Sequence, residues 1–112
     1  MAQAETTIQM CDAAVTLAFS VLGKRWNGMI VSTLGSGPTT FVALRRAVTG
    51  ISDTVLSDRL TELTQAGLVA RAVDAGPPVT VSYSLTASGE GLLPILSQLG
   101  AWASANLEVP EH

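Results

Sequence analysis

The sequence is poor in the side chains that carry most enzyme chemistry. Among its 112 residues there is one cysteine and one histidine, and only six are lysine or arginine. The single cysteine, Cys11, excludes an internal disulfide and a thiolate zinc cluster. The only histidine, His112, is the last residue, which leaves little material for imidazole acid–base work. No nucleophile with a base, no set of metal ligands and no phosphate-binding glycine loop appears. No enzyme activity, metal or other cofactor is therefore expected. No apolar run approaches the roughly 18 residues of a membrane span, and no basic-then-apolar leader opens the chain. A soluble, cytoplasmic protein with no membrane role is the expectation. Charged residues make up only 13% and apolar residues 47%, which excludes a disordered chain. The length suits one core. A mean hydropathy of +0.40 is high for a small monomer and suggests apolar surface covered by a second copy.

The six cations are not spread evenly. Lys24, Arg25, Arg45, Arg46, Arg59 and Arg71 lie between positions 24 and 71, together with three acids, Asp53, Asp58 and Glu62. That stretch carries a formal charge of +3, whereas the remaining six acids leave the ends at −6. A basic middle between acidic ends attracts a polyanion locally although the whole chain is acidic, with a pI near 4.8. A merely solvated surface with segregated charge is the alternative.

Hydrophobic spacing divides the chain. Residues 1–10 lack a core pattern and are expected to form a flexible segment, with one domain over 11–107 and a tail over 108–112. Asp12 is a candidate cap for a first helix ending near Leu22, with Val15, Phe19 and Leu22 on one face. Trp26, Met29, Ile30 and Leu34 recur at helical spacing, and Gly35-Ser-Gly-Pro38 breaks the pattern. Thr39 or Thr40 caps a short helix that turns Phe41, Leu44 and Val48 inward. Ser52 and Gly67 bracket a fourth helix with Leu56, Leu60 and Leu63 on one stripe. Its opposite face holds Thr54, Ser57, Asp58, Thr61 and Gln65. These are short polar residues, whereas a solvated helix face favours long charged ones with better helix propensity. Something is therefore expected to pack close against them; an ordinary threonine-rich surface is the other reading. Residues 68–73 and 79–85 read as two strands around a Gly/Pro turn, the second alternating apolar and polar. A last helix, capped by Thr86 or Ser88, carries Leu92, Ile95, Leu96, Leu99, Trp102, Ala103 and Asn106 on one face. Pro94 is expected to kink it or delay its start. The fold class is mainly α with a small β-hairpin (α+β). Two short helices followed by a hairpin is the plan of a winged helix-turn-helix, in which the second helix enters the major groove.

Several motifs in this order resemble one family. They are Leu22-Gly-Lys-Arg-Trp26, Phe41-Val-Ala-Leu-Arg-Arg46, Gly50-Ile-Ser52, Leu56-Ser-Asp-Arg-Leu60, Ala66-Gly-Leu-Val69, Tyr83-Ser-Leu-Thr86 and Leu99-Gly-Ala-Trp102. They look like the HxlR-type transcriptional regulators, relatives of the MarR group, and the likeness runs from Cys11 to about Trp102. The resemblance implies a winged-helix DNA-binding repressor or activator. It also implies a homodimer made by N- and C-terminal dimerisation helices, with sensing of oxidants or electrophiles through an N-terminal cysteine in some members.

On that basis Thr54, Ser57, Asp58 and Thr61 are expected to face the bases of double-stranded DNA, and Lys24, Arg25, Arg45, Arg46 and Arg59 its phosphates. For the arginines, solvation or pairing with Asp53 and Glu62 is the competing role. Leu92, Ile95, Leu96, Leu99 and Trp102 are expected at the dimer interface, beneath which a small-molecule effector is a candidate partner. The chain departs from the family in having Thr40 and Thr80 where arginines are frequent, and Asp58 where glutamine is common. Cys11 stands in the position of the family's N-terminal cysteine but is followed by Asp12 in place of the usual proline. It reads either as a redox sensor or as a small apolar side chain at an interface. A helix N-terminus favours its thiolate, and the Asp12 charge disfavours it. The function expected is a homodimeric, sequence-specific regulator acting on a pseudo-palindromic operator. The alternative is a winged-helix protein-interaction module, which the acidic net charge and a cation-free segment from Asp74 to Val81 would suit.

Overall fold

The computed structural model describes residues 13–108. The flexible-segment expectation for 1–10, Cys11, the Asp12 cap and most of the expected tail fall outside the described residues. Residues 13–22 are helical (α1). They are followed by α2 (Asn27–Leu34), β1 (Thr39–Thr40), α3 (Phe41–Ala47), α4 (Asp53–Gln65), β2 (Val69–Asp74), β3 (Thr80–Leu85) and α5 (Ala87–Asn106). The three strands form one antiparallel sheet in the order β1-β3-β2.

Local chemistry sets the boundaries. Thr40, Ser52 and Thr86 each stand at an N-cap in extended backbone, and each hydroxyl accepts the backbone N–H three residues on, from Ala43, Val55 and Gly89. α4 ends in a two-bond cap: Leu68 N–H donates to Leu63 O and Gly67 N–H to Thr64 O, both at 3.0 Å. That closure needs the left-handed backbone of Gly67, whose φ is +80°. Thr86 then fastens the start of α5 to the end of α4. Its hydroxyl donates to Gly67 O at 2.6 Å and its N–H to Leu68 O at 3.0 Å. The chains pass so closely here that a Cβ on Gly89 would lie 2.2 Å from Leu68 O.

Three helices and the base of the sheet share the core. Ile30, Val31 and Leu34 of α2, Leu44 and Val48 around the end of α3, Leu56, Leu60 and Leu63 of α4, and Val69 of β2 are buried. The strands align Val69 with Leu85, Arg71 with Tyr83 and Val73 with Val81. Directly opposed residues point to the same side of a sheet, so one face runs from the buried Val69 outward past Tyr83 and Arg71.

The structure corrects several details. Thr39 and Thr40 form a strand against Tyr83 and Ser82, a two-residue pairing too short to show as a period. Trp26 does not begin α2: it precedes it in the left-handed conformation, φ 85°. The buried face of α2 is consequently rotated onto Asn27, Ile30, Val31 and Leu34, leaving Met29 51% exposed. β3 starts at Thr80, one residue late, with Val79 exposed. Pro94 does not delay α5, which begins at Ala87 and contains the proline. The single apolar stripe read on α5 divides in two. Leu92 and Leu96, joined by Leu93, pack against the core, whereas Ile95, Leu99 and Trp102 remain exposed. On α1, Val15, Leu17 and Phe19 are exposed as well. No helix among the described residues is long and apolar enough to cross a membrane.

Leu60 fixes α4 to this core while being 2% exposed. Leu60→Ala should cost about 2–5 kcal/mol. The expected result is a lower urea midpoint with an unchanged slope, measured by circular dichroism.

Candidate nucleic-acid interface

The leucine stripe of α4 turns its other face outward. At 100° per residue, Thr54, Ser57, Asp58, Thr61 and Gln65 lie opposite Leu56, Leu60 and Leu63, and all five are exposed. They are not equivalent as hydrogen-bonding groups. The Thr61 hydroxyl donates to Ser57 O at 3.0 Å within its own helix. It therefore presents outward a methyl group and an acceptor, not a donor. Among the described residues, Thr54 and Ser57 make no side-chain hydrogen bond and Asp58 no ion pair. The four residues expected to face bases thus share one surface, with two free hydroxyls and a free carboxylate.

The expected phosphate-binding residues fall into different circumstances. Lys24, from the loop after α1, pairs with Glu62 of α4. Arg59 Nε lies 3.1 Å from the other oxygen of the same carboxylate, one helical turn earlier, without the alignment of a hydrogen bond. Two cations thus share one acid. Arg45, in the last turn of α3, donates to both carboxylate oxygens of Asp53 at 3.0 and 3.3 Å, which neutralises it. Arg25 stacks on Trp26, its guanidinium carbon 4.4 Å from the ring centroid. Arg46 forms no ion pair among the described residues. Exposed pairs such as Arg45–Asp53 contribute little to stability and exchange readily for another anion. Pairing with Asp53 and Glu62, the competing role for these arginines, is therefore what Arg45 and Arg59 adopt here.

A cleft of about 350 Å³ opens beside α4 on the sheet side, walled by Ser57, Thr61, Thr64, Gln65, Arg71 and Tyr83. Arg71 was counted among the cations but not placed at the interface by the sequence. Its strand position, two residues after the buried Val69 and opposite Tyr83, was the signal that places it there. Among the described residues no cluster of histidine, cysteine or acidic side chains is arranged to hold a metal.

The hydrogen bond from Lys24 holds the Glu62 carboxyl below the usual glutamate range; the charges of Arg59 and Lys24 add to this and partial desolvation opposes it. A carboxylate depressed on folding stabilises the protein above the pH at which the unfolded residue ionises, near 4.3, and that contribution is lost as pH falls through the folded value. Lys24→Met should therefore lower the urea midpoint at pH 7, and its difference from the unaltered protein should shrink on acidification toward pH 4. A difference that grows on acidification would contradict this assignment.

A family model described as HxlR-like helix-turn-helix matches residues 21–111. The HTH-type transcriptional regulator YodB of Bacillus subtilis is 43% identical over 86 residues, which cover 77% of each chain. Among solved structures, the reduced form of YodB from B. subtilis superposes with a TM-score of 0.78 at 40% identity, covering 86% of this chain and 94% of that one. The redox regulator HypR in its oxidized form gives a TM-score of 0.78 at 33% identity, covering 86% and 99%. The α+β winged-helix architecture of the sequence reading is thus shared with solved regulators. The chain belongs to the HxlR-like helix-turn-helix family of transcriptional regulators.

Proposed function

We propose that the protein acts in the cytoplasm as a homodimer that binds a pseudo-palindromic DNA operator in a sequence-specific manner and represses transcription there. The observation that carries this reading is the two-sided α4, with three leucines buried and five short polar side chains exposed on the opposite face. A helix inserted into the major groove needs such a face, because long charged side chains would hold it away from the base edges. Thr54 and Ser57 supply hydroxyls for base edges or phosphates, Asp58 an acceptor suited to a cytosine amino group, and Thr61 a methyl suited to thymine. The exposed apolar groups of α5, Ile95, Leu99 and Trp102, support a second copy as their cover. Two copies would present two α4 helices about one DNA turn, roughly 34 Å, apart. An open groove between α2 and α5, lined by Met29, Leu96, Leu99 and Ala103, is where an apolar effector would fit beneath that interface.

A gel-shift titration with the duplex upstream of the chain's own gene, at two salt concentrations, tests the reading. A shift stronger than for random DNA, weakening steeply with salt, is expected. Absence of a shift at low salt, or equal shifts for random DNA, would favour the protein-interaction module, which the cation-free segment from Asp74 to Val81 also suits.

Cys11 is the candidate sensor of an oxidant or electrophile, a reading supported by the similarity to the redox regulator HypR. With no second cysteine in the chain, its oxidation would end in an inter-subunit disulfide, a mixed disulfide or a sulfenic acid. Sizing the protein under reducing conditions should give a dimer. Peroxide or quinone should weaken the DNA complex of the native protein and leave that of Cys11→Ser unchanged; an equal response in the variant would remove Cys11 from the mechanism.

A further inference from the structure

We infer that the cleft between α4 and the sheet is a seat for one backbone phosphate of the bound DNA, with Arg71 as its anchor. This deepens the DNA-binding reading and rests on it.

Three observations converge on this cleft. The first is charge. Lys24 and Arg59 converge on Glu62, Arg45 is neutralised by Asp53, Arg25 is stacked on Trp26, and Arg46, unpaired among the described residues, stands in the last turn of α3 outside the cleft's lining. Arg71 has no acidic partner among the described residues, and no carboxylate stands among the cleft's lining residues. The second is placement. Ser57 and Thr61 belong both to the exposed face of α4 and to the wall of the cleft. A duplex whose groove receives that face must carry one of its strands past the flank of the helix. The sheet flank offers Arg71, held there by its register opposite Tyr83 on the side that carries Val69 into the core. The third is the polarity of the groups. The Thr61 and Thr64 hydroxyls already donate to Ser57 O and Leu60 O. The groups left to donate into the cleft are the Arg71 guanidinium, the Tyr83 phenol, the Gln65 amide and the Ser57 hydroxyl. A phosphodiester, which only accepts, matches that set. The segment 75–79 beyond β2 contains no cation, so Arg71 is the outermost positive charge on the hairpin.

The test uses the full chain and the duplex upstream of its own gene. Arg71→Gln should weaken binding several-fold at low salt. It should also reduce the slope of log affinity against log salt by about 0.9 per contact, or about 1.8 for two subunits, while leaving the preference among base sequences unchanged. Arg71→Lys, which keeps the charge, should retain the slope. Replacing single phosphates of the duplex by neutral methylphosphonates should reveal one position per half-site at which the native protein loses affinity and Arg71→Gln does not. If the native protein binds its operator and Arg71→Gln, folded by circular dichroism, keeps the native slope and the same methylphosphonate profile, the assignment of Arg71 falls while the DNA-binding reading stands. If the native protein shows no salt-dependent binding to the duplex at all, both fall together.

Discussion

The burial of Leu56, Leu60 and Leu63 in the core that also holds Ile30, Val31, Leu34 and Val69 is the constraint on which the rest of the molecule depends. A helix of 13 residues is marginal in water on its own, and α4 contains threonine, serine and aspartate, which favour helix ends over helix interiors. Tertiary burial, the Ser52 cap and the Gly67 closure hold it helical in spite of that composition. The same burial decides the orientation of the outward face. Rotation of α4 about its axis would expose leucines, so Thr54, Ser57, Asp58 and Thr61 are held in a fixed presentation by residues that contact nothing outside the protein. A composition that weakens the helix is tolerated because the core, not propensity, makes it.

Electrostatics then divides the surface around that face. On one flank Lys24 and Arg59 share Glu62, and at the N-terminal end Asp53 neutralises Arg45. Ion pairs this exposed contribute little to stability, so each cation can exchange its carboxylate for another anion at little cost. Asp53 also lies in the first turn of α4, where the helix dipole favours a negative charge, so its pairing with Arg45 is one of two reasons for its position. Net acidity of the chain and a basic site are compatible because the excess acids lie outside the stretch from 24 to 71.

Much of this architecture is legible in the sequence, and the reasons for the exceptions are physical. The sequence pattern located the five helices and both hairpin strands of the described residues, although in α1 the spacing marks a face that stays exposed and in β2 only Val69 is buried. It mislocated the buried face of α2, because Trp26 fits the helical spacing while its backbone is left-handed, so the helix starts one residue later and turns Met29 outward. It missed β1, whose pairing with β3 is a long-range contact of two residues. It read α5 as one stripe because apolar spacing does not distinguish a face covered by the protein's own core from one left exposed; Leu93 and Ile95 are two residues apart and have opposite fates. Of the candidate interface, the outward polar face of α4 was legible from one helix alone. Arg71 was not, because its place depends on the register of β2 against β3. The ion pairs were open in the sequence, since three acids and six cations allow several pairings.

The loop between α1 and α2 connects these parts. Lys24 reaches Glu62 in the second half of α4, while the Trp26 ring approaches within 3.5 Å of where a side chain on Gly50 would begin, two residues before the Ser52 cap. Asn27, almost fully buried, donates to the last turn of α1 at Val21 O, 2.7 Å away. This loop therefore bonds to the end of α1 through Asn27 and pairs with α4 through Lys24. The two contacts differ in strength. The Lys24–Glu62 pair is solvent-exposed and contributes little, whereas the Asn27 bond is part-buried and costs more to leave unmade.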